Sequence, residues 1–284
     1  MSEGGTISSA DSRGSPKPAH AARVRPRSAR VGAGLVRWHA AGQGPPLVLV
    51  HGLAGSWRWW ERALPDLARR HECHMLDLPR FGAALHPDET AEWIAGWLEA
   101  ARLGAGCLVG HSLGGAAAAS LVADRPGAVA ALVLVAPVGV PTGRRPAGYA
   151  LPLLTAVATS RPRFARRLGI DVLRAGPASL LRGALYAVRA DVRERARDVR
   201  VPTLLVWGER DPLVPPELAE EWRHAIPHAR LVLLPRTGHV PMVEQPRAFA
   251  VALQEFLDDP GDLRGRGPVR RVRLAGDHPQ PPVG

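Results

Sequence analysis

Ser112, Asp211 and His239 lie far apart in a 284-residue chain, yet they are the side-chain types that together make an alcohol nucleophilic. A serine hydroxyl attacks poorly at neutral pH. It needs a neutral imidazole to take its proton and a carboxylate to fix the tautomer of that imidazole. Ser112 stands in Gly110-His111-Ser112-Leu113-Gly114, after the apolar run Cys107-Leu108-Val109 and before the alanine-rich stretch Gly115–Val122. A G-x-S-x-G pattern between strand and helix is a nucleophile elbow, a sharp turn that holds the serine Oγ out of the sheet. The turn crowds the backbone, which explains the small residues around Ser112.

Asp211 lies in Gly208-Glu209-Arg210-Asp211-Pro212, just past a predicted strand over Thr203–Trp207. His239 lies in Thr237-Gly238-His239, just past another over Leu231–Leu234. Loops beyond strand C-terminal ends are where open α/β sheets build their sites. The order serine, aspartate, histidine is the one that accompanies such an elbow. A fourth part is His51-Gly52-Leu53-Ala54-Gly55, which follows the apolar run Leu47–Val50. A loop there can turn the Leu53 N–H inward to join that of Leu113 as an oxyanion hole.

Elements able to position these residues are legible in the same pattern. Apolar runs at Leu47–Val50, Cys107–Gly110, Ala131–Val135, Thr203–Trp207 and Leu231–Leu234 alternate with helical periodicity. This specifies an α/β fold with a mostly parallel central sheet and helices on both faces. Further strands are expected over 35–39 and 73–77, and helices over 59–69, 90–103, 217–225 and 246–257. Residues 137–200 show no clear strand and are expected to form a helical insertion, which divides the core into 31–136 and 201–257. Residues 1–30 and 258–284 lack hydrophobic period and are expected to be disordered tails.

The net charge of +11 is unevenly placed. Residues 1–30 carry six bases and two acids, 258–284 five Arg and four Asp, and 138–200 thirteen Arg and four acids. The remaining core is slightly acidic, so no continuous basic face is expected and nucleic acid is not a predicted partner. Lys17 is the one lysine among 37 bases, a bias toward arginine rather than a design for phosphate. No segment approaches the ~20 uninterrupted apolar residues of a membrane span, and the first residues lack the apolar core of a secretory signal. Cys73 and Cys107 fall in predicted strands as small buried side chains, which fits a reducing cytoplasm.

With their order and strand context, His51-Gly52, Gly110–Gly115, Gly208–Pro212 and Gly238-His239 resemble the α/β-hydrolase fold. The similarity is to its serine hydrolase and esterase branch, with a helical cap inserted between the sixth and seventh core strands. It covers about residues 30 to 257. The resemblance implies a serine hydrolase that cleaves a small carboxylic ester or related acyl bond without metal or organic cofactor. It assigns Ser112, Asp211 and His239 to the triad, and the Leu53 and Leu113 N–H groups to the oxyanion hole. The same residues would serve a carbon–carbon hydrolase, a lactonase, an acyltransferase or a cofactor-free haloperoxidase-like enzyme. A non-catalytic ligand-binding module on a hydrolase scaffold is the reading outside enzymes. Substrate identity and oligomeric state are not specified.

Competing residues have plainer explanations. Glu209, two positions before Asp211, is the rival acid. His51 and His111 belong to the motifs but are expected to shape loops, while His71, His74, His86, His224 and His228 lack motif support. Trp57, Trp59 and Trp60 are expected to pack the first helix, with one lining the pocket. Asp77-Leu78-Pro79-Arg80-Phe81-Gly82 resembles a family turn but has Arg80 where glycine is usual. Tyr149 and Tyr186 resemble the tyrosine pair of epoxide hydrolases, which use aspartate at the elbow; Ser112 argues against that chemistry. The arginines of the insertion are explained by a solvated helix face, with attraction of an anionic or carrier-bound acyl substrate as the competing reading.

Overall fold

Strands β3 (Pro46–Val50), β5 (Cys107–His111), β6 (Ala131–Val135), β7 (Thr203–Gly208) and β8 (Arg230–Leu234) are apolar nearly throughout because both faces of the sheet are covered. Alternate side chains divide between two apolar layers, Val48 and Val50 on one side, Leu47 and Leu49 on the other. The computed structural model describes residues 23–31, 34–78, 87–104, 106–142, 162–261, 263 and 265–272. With β1 (Arg25–Val31), β2 (Gly34–Ala41), β4 (Glu72–Leu76) and β9 (Val269–Arg271), the strands form one sheet in the order β1-β2-β4-β3-β5-β6-β7-β8-β9. The β1–β2 and β2–β4 pairs are antiparallel and the rest are parallel.

Helices α2 (Pro87–Ala101), α3 (Leu113–Asp124) and α7 (Leu218–Ala225) cover one face, where Ile94, Trp97, Leu121 and Trp222 are buried. The short α1 (Leu64–Leu67) and the longer α9 (Pro246–Asp258) cover the other with Leu64, Leu67, Phe249 and Phe256. Between β6 and β7 the described residues form α4 (Pro162–Ala175), α5 (Pro177–Arg189) and α6 (Arg193–Ala196). Short α8 (Pro241–Glu244) sits between β8 and α9. None of the helices among the described residues is long and apolar enough to cross a membrane.

Three expectations need correction. The helix expected over 59–69 is instead a 3-10 turn, Trp57–Trp60, followed by α1. Pro65 has no N–H to donate four residues back, so one helix cannot run through it. Residues 25–30, assigned to the N-terminal tail, belong with Val31 to an edge strand, β1; only Ala29 and Val31 turn toward the core, too short an alternation to stand out. Val269–Arg271, assigned to the C-terminal tail, pairs with β8 although all three residues are exposed, so its place is set by backbone bonding and by the ion pairs Arg270–Glu255 and Arg271–Glu209, not by burial. Residues 79–86 and Tyr149 lie outside the described residues.

Register brings the key loops to one edge. Val50 pairs with Gly110, Gly110 with Leu134, Leu134 with Leu205 and Gly208 with Leu234. The loops after β3, β5, β7 and β8 therefore leave the sheet side by side. Strand β4 lies outside β3 while β5 lies inside it, so the strand order, not the strand direction, reverses between β3 and β5, the place where such sheets form a crevice.

Candidate active site

Ser112 links β5 to α3 with φ 52° and ψ −115°, a conformation an L-residue adopts only under constraint. The constraint is visible on both sides. Its N–H donates to Val135 C=O at 2.9 Å, and its own carbonyl accepts from Gly115 and Ala116 at 3.0 and 3.2 Å. A Cβ at Gly110 would stand 2.5 Å from the Gly114 carbonyl oxygen, and one at Gly114 would stand 2.5 Å from that of His51. The glycines of the elbow are thus demanded by backbone packed on backbone.

Asp211 is fully buried and its carboxylate is completely committed. Oδ2 lies 2.7 Å from His239 Nδ1, while Oδ1 accepts from the N–H groups of Leu213 and Val214, both at 2.9 Å. A carboxylate oxygen can only accept, so Nδ1 carries the proton and Nε2 is left as a base. The rival Glu209 ion-pairs with Arg271 at 2.9 Å and does not meet His239. The loops of Asp211 and His239 touch directly: a Cβ at Gly208 would stand 2.1 Å from the Gly238 carbonyl oxygen.

His111 joins the elbow to the His239 loop. Its Nε2 is 2.9 Å from the His239 carbonyl oxygen, so Nε2 carries the proton and Nδ1 is bare, buried and without a partner among the described residues. The two rings are 4.8 Å apart. Burial first, and the neighbouring His239 second, hold the pKa of His111 well below the usual histidine value. His111 therefore stays neutral. Ser112 itself retains 8% exposure, and its Oγ makes no hydrogen bond among the described residues; contacts of this kind are often long until substrate is held.

The loop after β3 closes as a turn, Gly55 N–H to Gly52 C=O at 3.1 Å, with Leu53 and Ala54 at its corners. It packs onto the elbow, since a Cβ at Gly52 would stand 3.0 Å from Ser112 Cβ. Leu113 is the first residue of α3, and a helix's first N–H groups have no intrahelical acceptor. His51 shapes this loop: Nε2 accepts from Leu78 N–H at 3.2 Å, which places its proton on Nδ1, 2.8 Å from Gly52 O. Trp59 is buried between His111, at 5.7 Å between ring centroids, and Phe164 of α4, at 5.3 Å. Trp57 stacks on His39.

Several contributors have no conspicuous sequence signal. Glu244 accepts from Gly238 N–H at 2.6 Å and Val240 N–H at 3.0 Å, which clamps the backbone on both sides of His239. The one available clue is its place in a proline-started turn five residues after the histidine. Asp171, from α4, accepts from Ser56 and Trp59. Tyr186 is partly buried against the core and burial raises its hydroxyl pKa.

Known proteins share this architecture. A pimeloyl-[acyl-carrier protein] methyl ester esterase of Vibrio atlanticus is 29% identical over 77% of this chain and 96% of its own. An enzyme of the same name from Nitrosomonas europaea is 31% identical over 73% of this chain and 94% of its own. A crystal structure described as a membrane phospholipase A, a bacterial virulence factor, superposes with a TM-score of 0.71 at 26% identity, covering 83% of this chain and 86% of that one. The model of the alpha/beta hydrolase family matches residues 47–252, from the first central strand into α9, and the chain belongs to that family.

Proposed function

We propose that this hydrolase is a serine esterase working through an acyl-enzyme. His239 Nε2 takes the proton of Ser112 Oγ as the oxygen attacks the ester carbonyl. The tetrahedral oxyanion is held by the N–H groups of Leu53 and Leu113, and Asp211 stabilises the imidazolium. That imidazolium protonates the departing alkoxide, and the bond to the alcohol breaks. Water, deprotonated by the same imidazole, then attacks the acyl-serine; its collapse returns the proton to Ser112 and releases the acid.

The observation that carries this reading is the 2.7 Å contact between His239 Nδ1 and a buried Asp211 whose other oxygen is already saturated. It leaves Nε2 as a base on the loop that His111 ties to the elbow. Ser112→Ala is expected to abolish both fluorophosphonate labelling and ester hydrolysis. Retention of either would remove Ser112 from the role of nucleophile.

The relatives above are named for the methyl ester of an acyl chain on a carrier protein. An acyl ester of that general kind is the substrate class proposed here. Among the described residues, Arg163, Arg166 and Arg167 of α4 form no ion pair, which favours a substrate bearing negative charge outside the ester itself. Product analysis separates hydrolysis from acyl transfer, since a transferase would prefer an added alcohol or amine over water.

A further inference from the structure

The amphipathic helix α4 is rich in arginine, yet its only buried residue is an acid, Asp171, with 1% of the side chain exposed. Burying a carboxyl group is costly unless strong partners replace water. Here the partners are two neutral donors on one oxygen: Ser56 Oγ at 2.9 Å and Trp59 Nε1 at 3.2 Å, both to Oδ2. Among the described residues Oδ1 has no hydrogen-bond partner, and the nearest cation, Arg174 Nη1, is 3.7 Å away and largely exposed. Such an arrangement is a poor source of stability.

Its location supplies the explanation. Ser56 directly follows the Gly52–Gly55 turn that carries the Leu53 N–H. On the core side the segment is held by Trp57 N–H to Asp77 Oδ1 at 2.8 Å, by stacking of Trp57 on His39 and by burial of Trp59 and Trp60. On the other side it meets the inserted helices twice. Asp171 of α4 holds Ser56 and Trp59, and the Leu53 side chain fills the space beside Gly183 of α5, where a Cβ would stand 2.4 Å from Leu53 Cδ1.

We propose that Asp171 is a positioning residue that latches α4 to the Ser56–Trp59 segment and so couples the seating of the inserted helices to the geometry of the Leu53 turn. The latch rests on the oxyanion role given to Leu53 above. It makes the site complete only when the insertion is docked. The two hydrogen bonds hold the turn, and the charge of Asp171 is dispensable for that purpose.

The test compares Asp171→Ala, Asp171→Asn and Ser56→Ala by hydrogen exchange of the backbone amides of residues 53–60 and by steady-state hydrolysis of a neutral ester. Asp171→Ala is expected to speed exchange in that segment by about tenfold or more and to lower kcat by about tenfold to hundredfold with KM little changed. Asp171→Asn, whose amide oxygen can take the place of Oδ2, is expected to restore both to within about threefold of the parent, and Ser56→Ala to fall between them. Unchanged exchange over 53–60 in Asp171→Ala, or an Asp171→Asn protein as impaired as Asp171→Ala, would overturn the latch. Should Asp171→Ala fail to fold, Ser56→Ala with parental exchange and kcat would overturn it equally. Absence of esterase activity in the parent protein would defeat the proposed function, while the exchange data would still decide the latch.

Discussion

Replacing Asp211 by Asn changes one atom and should force His239 into the wrong tautomer. The buried carboxylate accepts three hydrogen bonds: two backbone N–H groups on Oδ1 and the His239 ring on Oδ2. An amide has one accepting oxygen. Placed at Oδ1, it satisfies Leu213 and Val214 but turns the NH₂ toward Nδ1, which must then become the acceptor, leaving the proton on Nε2. In that state the imidazole cannot take a proton from Ser112. The alternative orientation keeps the correct tautomer but points the NH₂ at two N–H donors, that of Val214 buried and that of Leu213 partly buried. Each donor left unsatisfied costs about 1–3 kcal/mol, so the productive orientation lies roughly 2–6 kcal/mol higher. At 1.36 kcal/mol per decade this is a loss of about 30-fold to about 10⁴-fold in kcat, the upper end matching the effect general to such triads. The assay is kcat for a chromogenic ester, with the melting temperature as a control for folding. A fall of less than about tenfold in a folded Asp211→Asn protein would refute the reasoning.

Other expectations follow from buried groups and surface charge. His39, His51, His71, His74 and His111 are all held below the ordinary histidine value of 6.5, with burial the leading cause in each. The unfolded chain therefore takes up their protons first, so stability is full above about pH 6.5 and is lost as the pH falls below it, toward the depressed values of the folded state. A melting temperature that stays flat into the carboxylate range would contradict this. Burial raises the thiol of Cys73 to about 12 and that of Cys107 higher still, so both should resist iodoacetamide in the native protein and react on unfolding. Rapid native alkylation would show that a strand opens. Arg163, Arg166 and Arg167 of α4, without an ion pair among the described residues, should make kcat/KM for an anionic ester fall with salt more steeply than for a neutral one. Equal slopes would leave a solvated helix face as the whole explanation.

The location of the candidate site was written locally. Elbow glycines, the strand-ending Gly-x-x-Asp loop and Gly238-His239 are short-range features, because tight turns and close backbone approach restrict residue type within a few positions. Uninterrupted apolar strands made the parallel sheet legible for the same reason, since burial on both faces leaves no room for alternation. The edge strands β1 and β9 were not legible. Their placement depends on backbone pairing with a neighbour already present, and Val269–Arg271 carries no buried side chain to announce it.

What tertiary structure alone decided are the contacts that cross the chain. Ser56 meets Asp171 across 115 positions and His111 reaches the carbonyl of His239 across 128. Neither contact is marked in the local sequence around its partners. The sequence by itself specified the α/β hydrolase architecture and the residue types able to activate a serine. The protonation pattern of His239, the neutrality of His111 and the anchoring of the Leu53 turn emerged only from the folded chain. Hydrogen-bond direction and desolvation depend on which distant groups share a dry interior, and local periodicity does not encode that.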